Sequence, residues 1–188
     1  MRVAIIGSHC TGKTTLFNAL KKVYPDYVFI DEYIKILQEM NVPFNETCND
    51  MTQYIASDLC IDALHNENFI SDRCLFDVLV YSTYLYKNNI ISETCFEEIR
   101  NRWFSYNLNY DIFFYARPLQ NFVEDNGIRS TDKEFQKGVQ EIFEQFLFDK
   151  DYDWLFDYKG PKVYKLPEGF EERLIFVKEK IDEFEKRS

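Results

Sequence analysis

No apolar run in the sequence is long enough to cross a membrane as a helix. The first apolar segment reaches Gly7 after only a few residues, which is too short for a signal peptide. The five cysteines form no CxxC pair, and their spacing fits neither a zinc ribbon nor a disulfide framework. These absences predict a cytoplasmic protein with reduced thiols and no membrane partner.

Positive charge is also scarce. Lys and Arg number 22 against 32 Asp and Glu, which gives a net charge of −10. A surface this negative repels polyphosphate chains, so the composition counts against a nucleic-acid partner. It remains compatible with a small phosphorylated ligand that a few local cations hold. Apolar residues make up 46% of the chain, enough for a substantial buried core.

The chain contains no internal repeat, no low-complexity tract and no clear linker between domains. Short apolar strands and helical patterns instead alternate about five times. The expected strands are residues 2–6, 27–30, 69–70, 110–115 and 163–166, and Asp50 is expected to cap a helix that runs to about His65. This alternation predicts an α/β fold, in which helices cover both faces of a parallel sheet.

One motif stands out near the N-terminus. Residues 7–14, GSHCTGKT, match G-x-x-x-x-G-K-[ST] and lie between a predicted strand and a predicted helix. Glycines let the loop wrap around phosphates, its N–H groups and the helix N-terminus attract them, and Lys13 reaches the outer phosphates. The hydroxyl group of Thr14 is a candidate Mg²⁺ ligand. The predicted ATP-binding residues are Gly7, Ser8, His9, Cys10, Thr11, Gly12, Lys13, Thr14 and Thr15.

Charged residues follow three of the predicted strands. Ligands of such sheets bind at the carboxyl ends of the strands, so these side chains are expected to face residues 7–14. The set comprises Asp31 and Glu32 after the second strand, Asp72 and Arg73 after the third, and Arg117 after the fourth.

This set matches the needs of phosphoryl transfer. Asp72 is the candidate for the Mg²⁺ shell, and Glu32 or Asp31 for the acceptor hydroxyl group. Arg73, Arg117 and Arg129 are candidates for binding an acceptor phosphate or stabilising transition-state charge. A further pair, Asp77 and Tyr81, shares one face of the next helix and is a candidate lining of the acceptor pocket.

Three segments, GSHCTGKTTL, VFIDEYIKIL and FISDRCLFDVLVY, resemble the P-loop kinases of the nucleoside and nucleotide kinase superfamily. The likeness is greatest to the AAA_28-type group of bacterial and phage ATP-binding proteins, which is related to thymidylate kinase and nicotinamide-riboside kinase. The resemblance implies a three-layer fold with a five-stranded parallel sheet of order 2-3-1-4-5. It also implies a single domain over residues 1–188 and a short lid at about 117–133.

The resemblance also assigns roles to individual residues. Glu32 matches the acid of the Glu-x-Ala-Arg motif, but Lys35 stands where the family has Arg. Asp72-Arg73 matches the acid–arginine pair, and Asp77 matches the later acid of Asp-Arg-x-x-x-Asp. Within residues 125–132, Arg129 takes the place of the lid arginine. Residues 169–173 resemble the segment that borders adenine in such kinases.

The sequence leaves three functions open. The first is ATP- and Mg²⁺-dependent phosphoryl transfer to a nucleoside, a thymidylate-like monophosphate or a related ribosyl compound, with Lys13, Glu32, Arg73 and Arg129 catalytic. Acceptor-binding candidates are Asp31, Glu32, Arg73, Asp77 and Arg117. The second is a nucleotide-binding switch or ATPase, and the third a kinase acting on polynucleotide ends or modified DNA bases. Aromatic-rich helices between residues 50 and 106 are a candidate homodimer face.

Overall fold

The computed structural model describes residues 1–44, 47–118, 133–156 and 159–186. Its centre is a five-stranded parallel sheet in the order β2-β3-β1-β4-β5, which confirms the parallel sheet that the sequence pattern predicts and the strand order that the family resemblance implies. The strands are β1 (Arg2–Ile6), β2 (Val28–Ile30), β3 (Phe69–Asp72), β4 (Ile112–Tyr115) and β5 (Lys162–Lys165).

Seven α-helices of the described residues connect and cover these strands. They are α1 (Lys13–Val23), α2 (Tyr33–Glu39), α3 (Asp50–Ala63), α4 (Leu75–Lys87), α5 (Glu93–Tyr106), α6 (Lys133–Phe148) and α7 (Phe170–Glu185). Short 3₁₀ segments follow α5 at Asn107–Asn109 and α6 at Lys150–Leu155. None of the helices in the described ranges is long and apolar enough to span a membrane.

The central strand β1 is buried on both faces, which explains why its sequence is apolar without alternation. Ala4 and Ile6 pack into the apolar cluster beneath α2 to α6, while Val3 and Ile5 pack against α1 and α7. Successive side chains of a strand point to opposite faces. This single apolar strand therefore contributes side chains to both cores, and it sets the position of the loop of residues 7–14 that follows it.

The third strand is longer than the sequence predicts. Its ladder continues through Ser71 and Asp72, which pair with Ala4 and Ile5 of β1. The backbone hydrogen bonds of a central strand stabilise polar residues that an apolar pattern assigns to a loop. Asp72 therefore ends the strand, at the edge of the sheet where residues 7–14 begin.

Helix α3 begins differently from the prediction. Its cap is Asn49, whose side chain accepts a hydrogen bond from the N–H of Thr52, and the Thr52 hydroxyl group accepts one from the N–H of Asn49. Asp50 instead accepts hydrogen bonds from the N–H and hydroxyl groups of Ser92, 2.8 and 2.5 Å away. Asp50 thus ties α3 to the start of α5.

The predicted lid of residues 117–133 falls largely outside the described residues. Arg129 is among the positions that the structure leaves undescribed. The lid and the role of Arg129 therefore stay predictions.

Candidate functional site

The loop of residues 7–14 joins β1 to α1 at the carboxyl edge of the sheet. Gly7 has φ +138°, and a Cβ atom there would lie 2.4 Å from the carbonyl oxygen of Ala116. Gly12, with φ 78°, sits in the left-handed region just before α1. Cys10 adopts φ 57° although it has a side chain. Such backbone strain in a non-glycine residue is typical of a functional loop.

Lys13 is enclosed by this loop. Its Nζ atom donates hydrogen bonds to the carbonyl oxygen of Ser8 at 2.5 Å and to Oγ1 of Thr11 at 3.1 Å. Burial, together with the positive charge of Arg73, lowers the pKa of Lys13 to about 7. A polyphosphate bound beside Nζ would supply negative charge and raise this pKa again.

ATP binding is therefore expected to take up protons. At pH 8 Lys13 of the free protein is mostly neutral, and the bound phosphates favour its charged form, so uptake approaches ~1 proton per ATP. The same linkage makes ATP affinity fall as pH rises above about 7. Titration calorimetry in two pH 8 buffers of different ionisation enthalpy measures the uptake, with Lys13→Met as the control. A binding enthalpy independent of the buffer would contradict the expectation.

Thr14 and Asp72 meet at the first turn of α1. The Thr14 hydroxyl group donates a hydrogen bond to Oδ2 of Asp72 at 2.7 Å. The other oxygen, Oδ1, is buried and has no hydrogen-bond partner among the described residues. Burial, aided by the negative charge of Glu32, raises the pKa of Asp72.

These two oxygen donors fit Mg²⁺. The cation prefers hard oxygen ligands, and in nucleotide sites it is held by one or two side chains together with phosphate oxygens and water. Within the described ranges, no group of three His, Cys, Asp or Glu side chains forms a cage for a metal. Thr14 and Asp72 would therefore hold Mg²⁺ together with a bound polyphosphate.

Arg73 connects the third strand to the loop. Its backbone has φ 77°, and its guanidinium Nε and Nη1 atoms lie 3.4 Å from Oε2 of Glu32 and 3.5 Å from Oδ1 of Asp77. Nη1 also donates to the carbonyl oxygen of Gly7 at 3.2 Å. The ring of Tyr81 lies against the same guanidinium, 5.2 Å from its carbon. The loop of residues 7–14, called the phosphate loop below, thus begins at Gly7 beside the side chains of Glu32, Arg73 and Asp77.

Asp77 lies beneath the loop. Its side chain is fully buried, and its carboxylate accepts hydrogen bonds from the N–H groups of Gly7 at 3.2 Å and Cys74 at 3.0 Å. Burial raises the pKa of Asp77 to about 6. These contacts fix α4 against the loop, and acceptor binding by Asp77 stays a prediction.

Two other predicted acceptor residues make their contacts at the surface. Asp31 pairs with Lys35 at 3.0 Å and with Lys21 at 3.5 Å, and about half of its side chain is exposed. Arg117, also half exposed, pairs with Glu144 of α6 at 2.8 Å. In the described part of the chain neither side chain is hydrogen-bonded or ion-paired with Arg73 or Asp77, and Asp31 lines a cavity of about 60 Å³ that Arg73 also lines.

Two small cavities adjoin Arg73. One, of about 20 Å³, lies among α2, α3 and α4, and the other, of about 60 Å³, lies between α2, α3 and the end of β3. The first is lined by apolar side chains and by the polar groups of Thr52, Gln53, Arg73 and Tyr81. Gln53 is buried and accepts a hydrogen bond from Ser82 at 2.9 Å. Sequence reasoning missed Gln53, because a lone glutamine in a helix carries no distinguishing pattern.

Sequence reasoning also missed two contacts made to the loop from distant helices. Gln136 of α6 donates to the carbonyl oxygen of His9 at 2.7 Å. Arg173 of α7 donates to the carbonyl oxygen of Thr11 at 2.6 Å. The resemblance of residues 169–173 to an adenine-bordering segment pointed to this region but not to a loop contact.

This arrangement is that of a P-loop kinase-like α/β fold, and such a fold implies nucleotide binding. The sequence profile of the AAA_28 family, described as an AAA domain, matches residues 2–161, so the chain belongs to that family. No curated protein matches its sequence.

Solved structures extend the likeness over nearly the whole chain. The deoxyadenosine kinase from M. mycoides with dCMP and a flexible dCDP bound superposes with a TM-score of 0.64 at 18% identity, over 98% of this chain and 100% of that one. The same kinase with dATP bound gives 0.62 at 17% identity, over 97% and 100%. At these identities the likeness shows the fold alone.

Proposed function

We propose that the protein is an ATP-dependent kinase that phosphorylates a hydroxyl group of a nucleoside. The convergence of Glu32 and Arg73 on the loop that encloses Lys13 carries this proposal. An acid, a cation and a loop that can enclose phosphates therefore lie together at one edge of the sheet. Phosphoryl transfer needs that combination, because its catalysis rests on positioning and charge stabilisation.

The proposed roles follow from the contacts. Lys13 and the loop N–H groups bind the phosphates of ATP, and Thr14 and Asp72 hold Mg²⁺, which neutralises phosphate charge when bound. Glu32 accepts the proton of the acceptor hydroxyl group as its oxygen bonds to the γ-phosphorus atom. The bond from that phosphorus atom to the bridging oxygen breaks, and ADP leaves. Arg73, held by Glu32 and Asp77, stabilises negative charge beside the loop.

The charge around Arg73 favours a nucleoside over a monophosphate. Among the described residues, Arg73 is the one basic side chain that lines either cavity, and Glu32 and Asp77 already compensate it. A phosphate on the acceptor would meet these carboxylates, and juxtaposed like charges cost several kcal/mol. The fold likeness to a deoxyadenosine kinase, a nucleoside kinase, supports the same acceptor class.

An acceptor screen tests the proposal. The protein is incubated with γ-labelled ATP, Mg²⁺ and a panel of ribonucleosides, deoxynucleosides, their monophosphates and nicotinamide riboside. We expect a labelled nucleoside monophosphate, with kcat/KM on the order of 10²-fold higher for the nucleoside than for its monophosphate. Release of labelled inorganic phosphate without a phosphorylated acceptor would indicate an ATPase or switch, and phosphorylation of monophosphates alone would overturn the acceptor class.

A further inference from the structure

Three alternate carbonyl groups of the phosphate loop are held by side chains from other parts of the fold. The carbonyl oxygens of Gly7, His9 and Thr11 accept hydrogen bonds from Arg73, Gln136 and Arg173, at 3.2, 2.7 and 2.6 Å. These donors belong to the turn after β3, to α6 and to α7. Arg73 is part of the proposed site, whereas Gln136 and Arg173 have no role in it.

The direction of each of these carbonyl groups fixes the direction of the N–H group of the next residue. In a planar trans peptide the C=O and the following N–H point to opposite sides. Because the His9 carbonyl points to α6 and the Thr11 carbonyl to α7, the N–H groups of Cys10 and Gly12 point away from those helices. The carbonyl group of Ser8, between Gly7 and His9, instead accepts a hydrogen bond from Nζ of Lys13. This Nζ atom marks the side of the loop on which phosphates would bind.

We infer that Gln136 and Arg173 are positioning residues that orient the Cys10 and Gly12 N–H groups toward the phosphates of the nucleotide. This inference rests on the proposed function for the identity of the nucleotide. A cradle of backbone N–H groups binds anions well when its dipoles are fixed before the ligand arrives. Gln136 and Arg173 fix the loop carbonyl groups, and with them these dipoles, before the ligand binds. Cys10 of the same loop is held in a strained backbone conformation.

Neighbouring contacts anchor the Gln136 side of the loop. The His9 ring stacks on Phe135, the residue before Gln136, with ring centroids 5.5 Å apart. Nδ1 of His9 also lies 3.4 Å from the hydroxyl oxygen of Tyr81. The first turn of α6 therefore holds both the side chain and the carbonyl group of the same loop residue.

The Arg173 side is buried more deeply. Arg173 is 3% exposed, and its Nε atom donates to the carbonyl oxygen of Pro167 at 2.7 Å. Across the described residues, no carboxylate lies within ion-pair distance of this guanidinium. The carboxylate of Glu168 acts on this charge from beyond ion-pair distance, so positive charge stays at the back of the loop, where it adds to the attraction for phosphate.

Binding of inorganic tripolyphosphate tests the inference without any acceptor. Gln136→Met keeps the size of the side chain and removes the donor, and Gln140→Met, one turn later on α6, is the matched control. We expect the Kd for tripolyphosphate with Mg²⁺ to rise about fivefold in Q136M and to stay unchanged in Q140M. The KM for ATP should rise by the same factor, while the KM for the acceptor stays constant.

The arginine is tested by rescue. Arg173→Ala should weaken tripolyphosphate binding about 30-fold, and added guanidinium ion at millimolar concentration should restore part of it. Wild-type affinity in Q136M, or an equal loss of acceptor and tripolyphosphate binding in both variants, would overturn the inference. If the wild-type protein binds ATP and tripolyphosphate but phosphorylates no acceptor, the proposed function fails while the positioning roles are still measured.

Discussion

Replacing Lys13 with alanine is expected to lower turnover at least about 10³-fold. Nζ of Lys13 lies within the loop, bonded to the Ser8 carbonyl oxygen and the Thr11 hydroxyl group. In the proposed reaction it is the cation that the loop itself supplies to the transferring phosphate. Its loss removes charge stabilisation that N–H groups alone do not replace.

The fold should survive this substitution. Burial lowers the pKa of Lys13 because it makes the charge costly in the free protein, so alanine removes two hydrogen bonds but also relieves that cost. Melting temperature and a labelled-ATP assay measure the two effects separately. Lys22→Ala, at an exposed position of the same helix, is the matched control and should keep wild-type turnover. An active K13A protein would refute the assignment of the loop to phosphoryl transfer.

The sequence predicted the fold well because its strongest signals are local. The apolar β1, the glycine pattern of the loop and the alternation of strands and helices all follow from short-range preferences. Parallel strands share one carboxyl edge, and this geometry places Asp72 and Arg73 beside the loop. The same rule brings Glu32 to Arg73 from the neighbouring strand.

The sequence does not predict which way the side chains point at that edge of the sheet. Asp31 and Glu32 are adjacent and chemically alike, but Glu32 directly precedes α2 and is buried, whereas the half-exposed Asp31 pairs with Lys21 and Lys35. Arg117 follows β4 as expected, yet its partner Glu144 lies 27 residues later on α6. Such choices depend on which distant side chain arrives nearby, and local pattern does not contain that information.

The contacts of Gln136 and Arg173 illustrate the same limit. They lie 127 and 162 residues from the loop carbonyl groups that they hold. Each is a polar residue near the apolar face of an amphipathic helix. Polar residues are common at such positions, so the sequence pattern does not distinguish these two. Only the packed arrangement of α6 and α7 over the sheet shows that both side chains reach the loop.

Replacing Glu32 with glutamine is expected to lower kcat by about 10² to 10⁴-fold, the range that general bases contribute. Glutamine has the same shape but does not accept the hydroxyl proton. Glu32 is buried at the start of α2 and ion-paired with Arg73. Asp77 still pairs with Arg73 in the variant, so the guanidinium keeps a compensating charge.

The pattern of kinetic loss distinguishes a base from a residue that only holds Arg73. A base acts in the chemical step, so E32Q should lose kcat while its Kd for ATP, measured without acceptor, stays at the wild-type value. A residue that only holds Arg73 would instead lower the melting temperature, and it would weaken ATP binding together with kcat, because Arg73 also donates to the carbonyl oxygen of Gly7 in the loop. Glu39→Gln, exposed at the end of α2, controls for the loss of a carboxylate from the same helix. A parallel loss of kcat and of ATP affinity in E32Q would therefore assign Glu32 to the support of Arg73 and not to proton transfer.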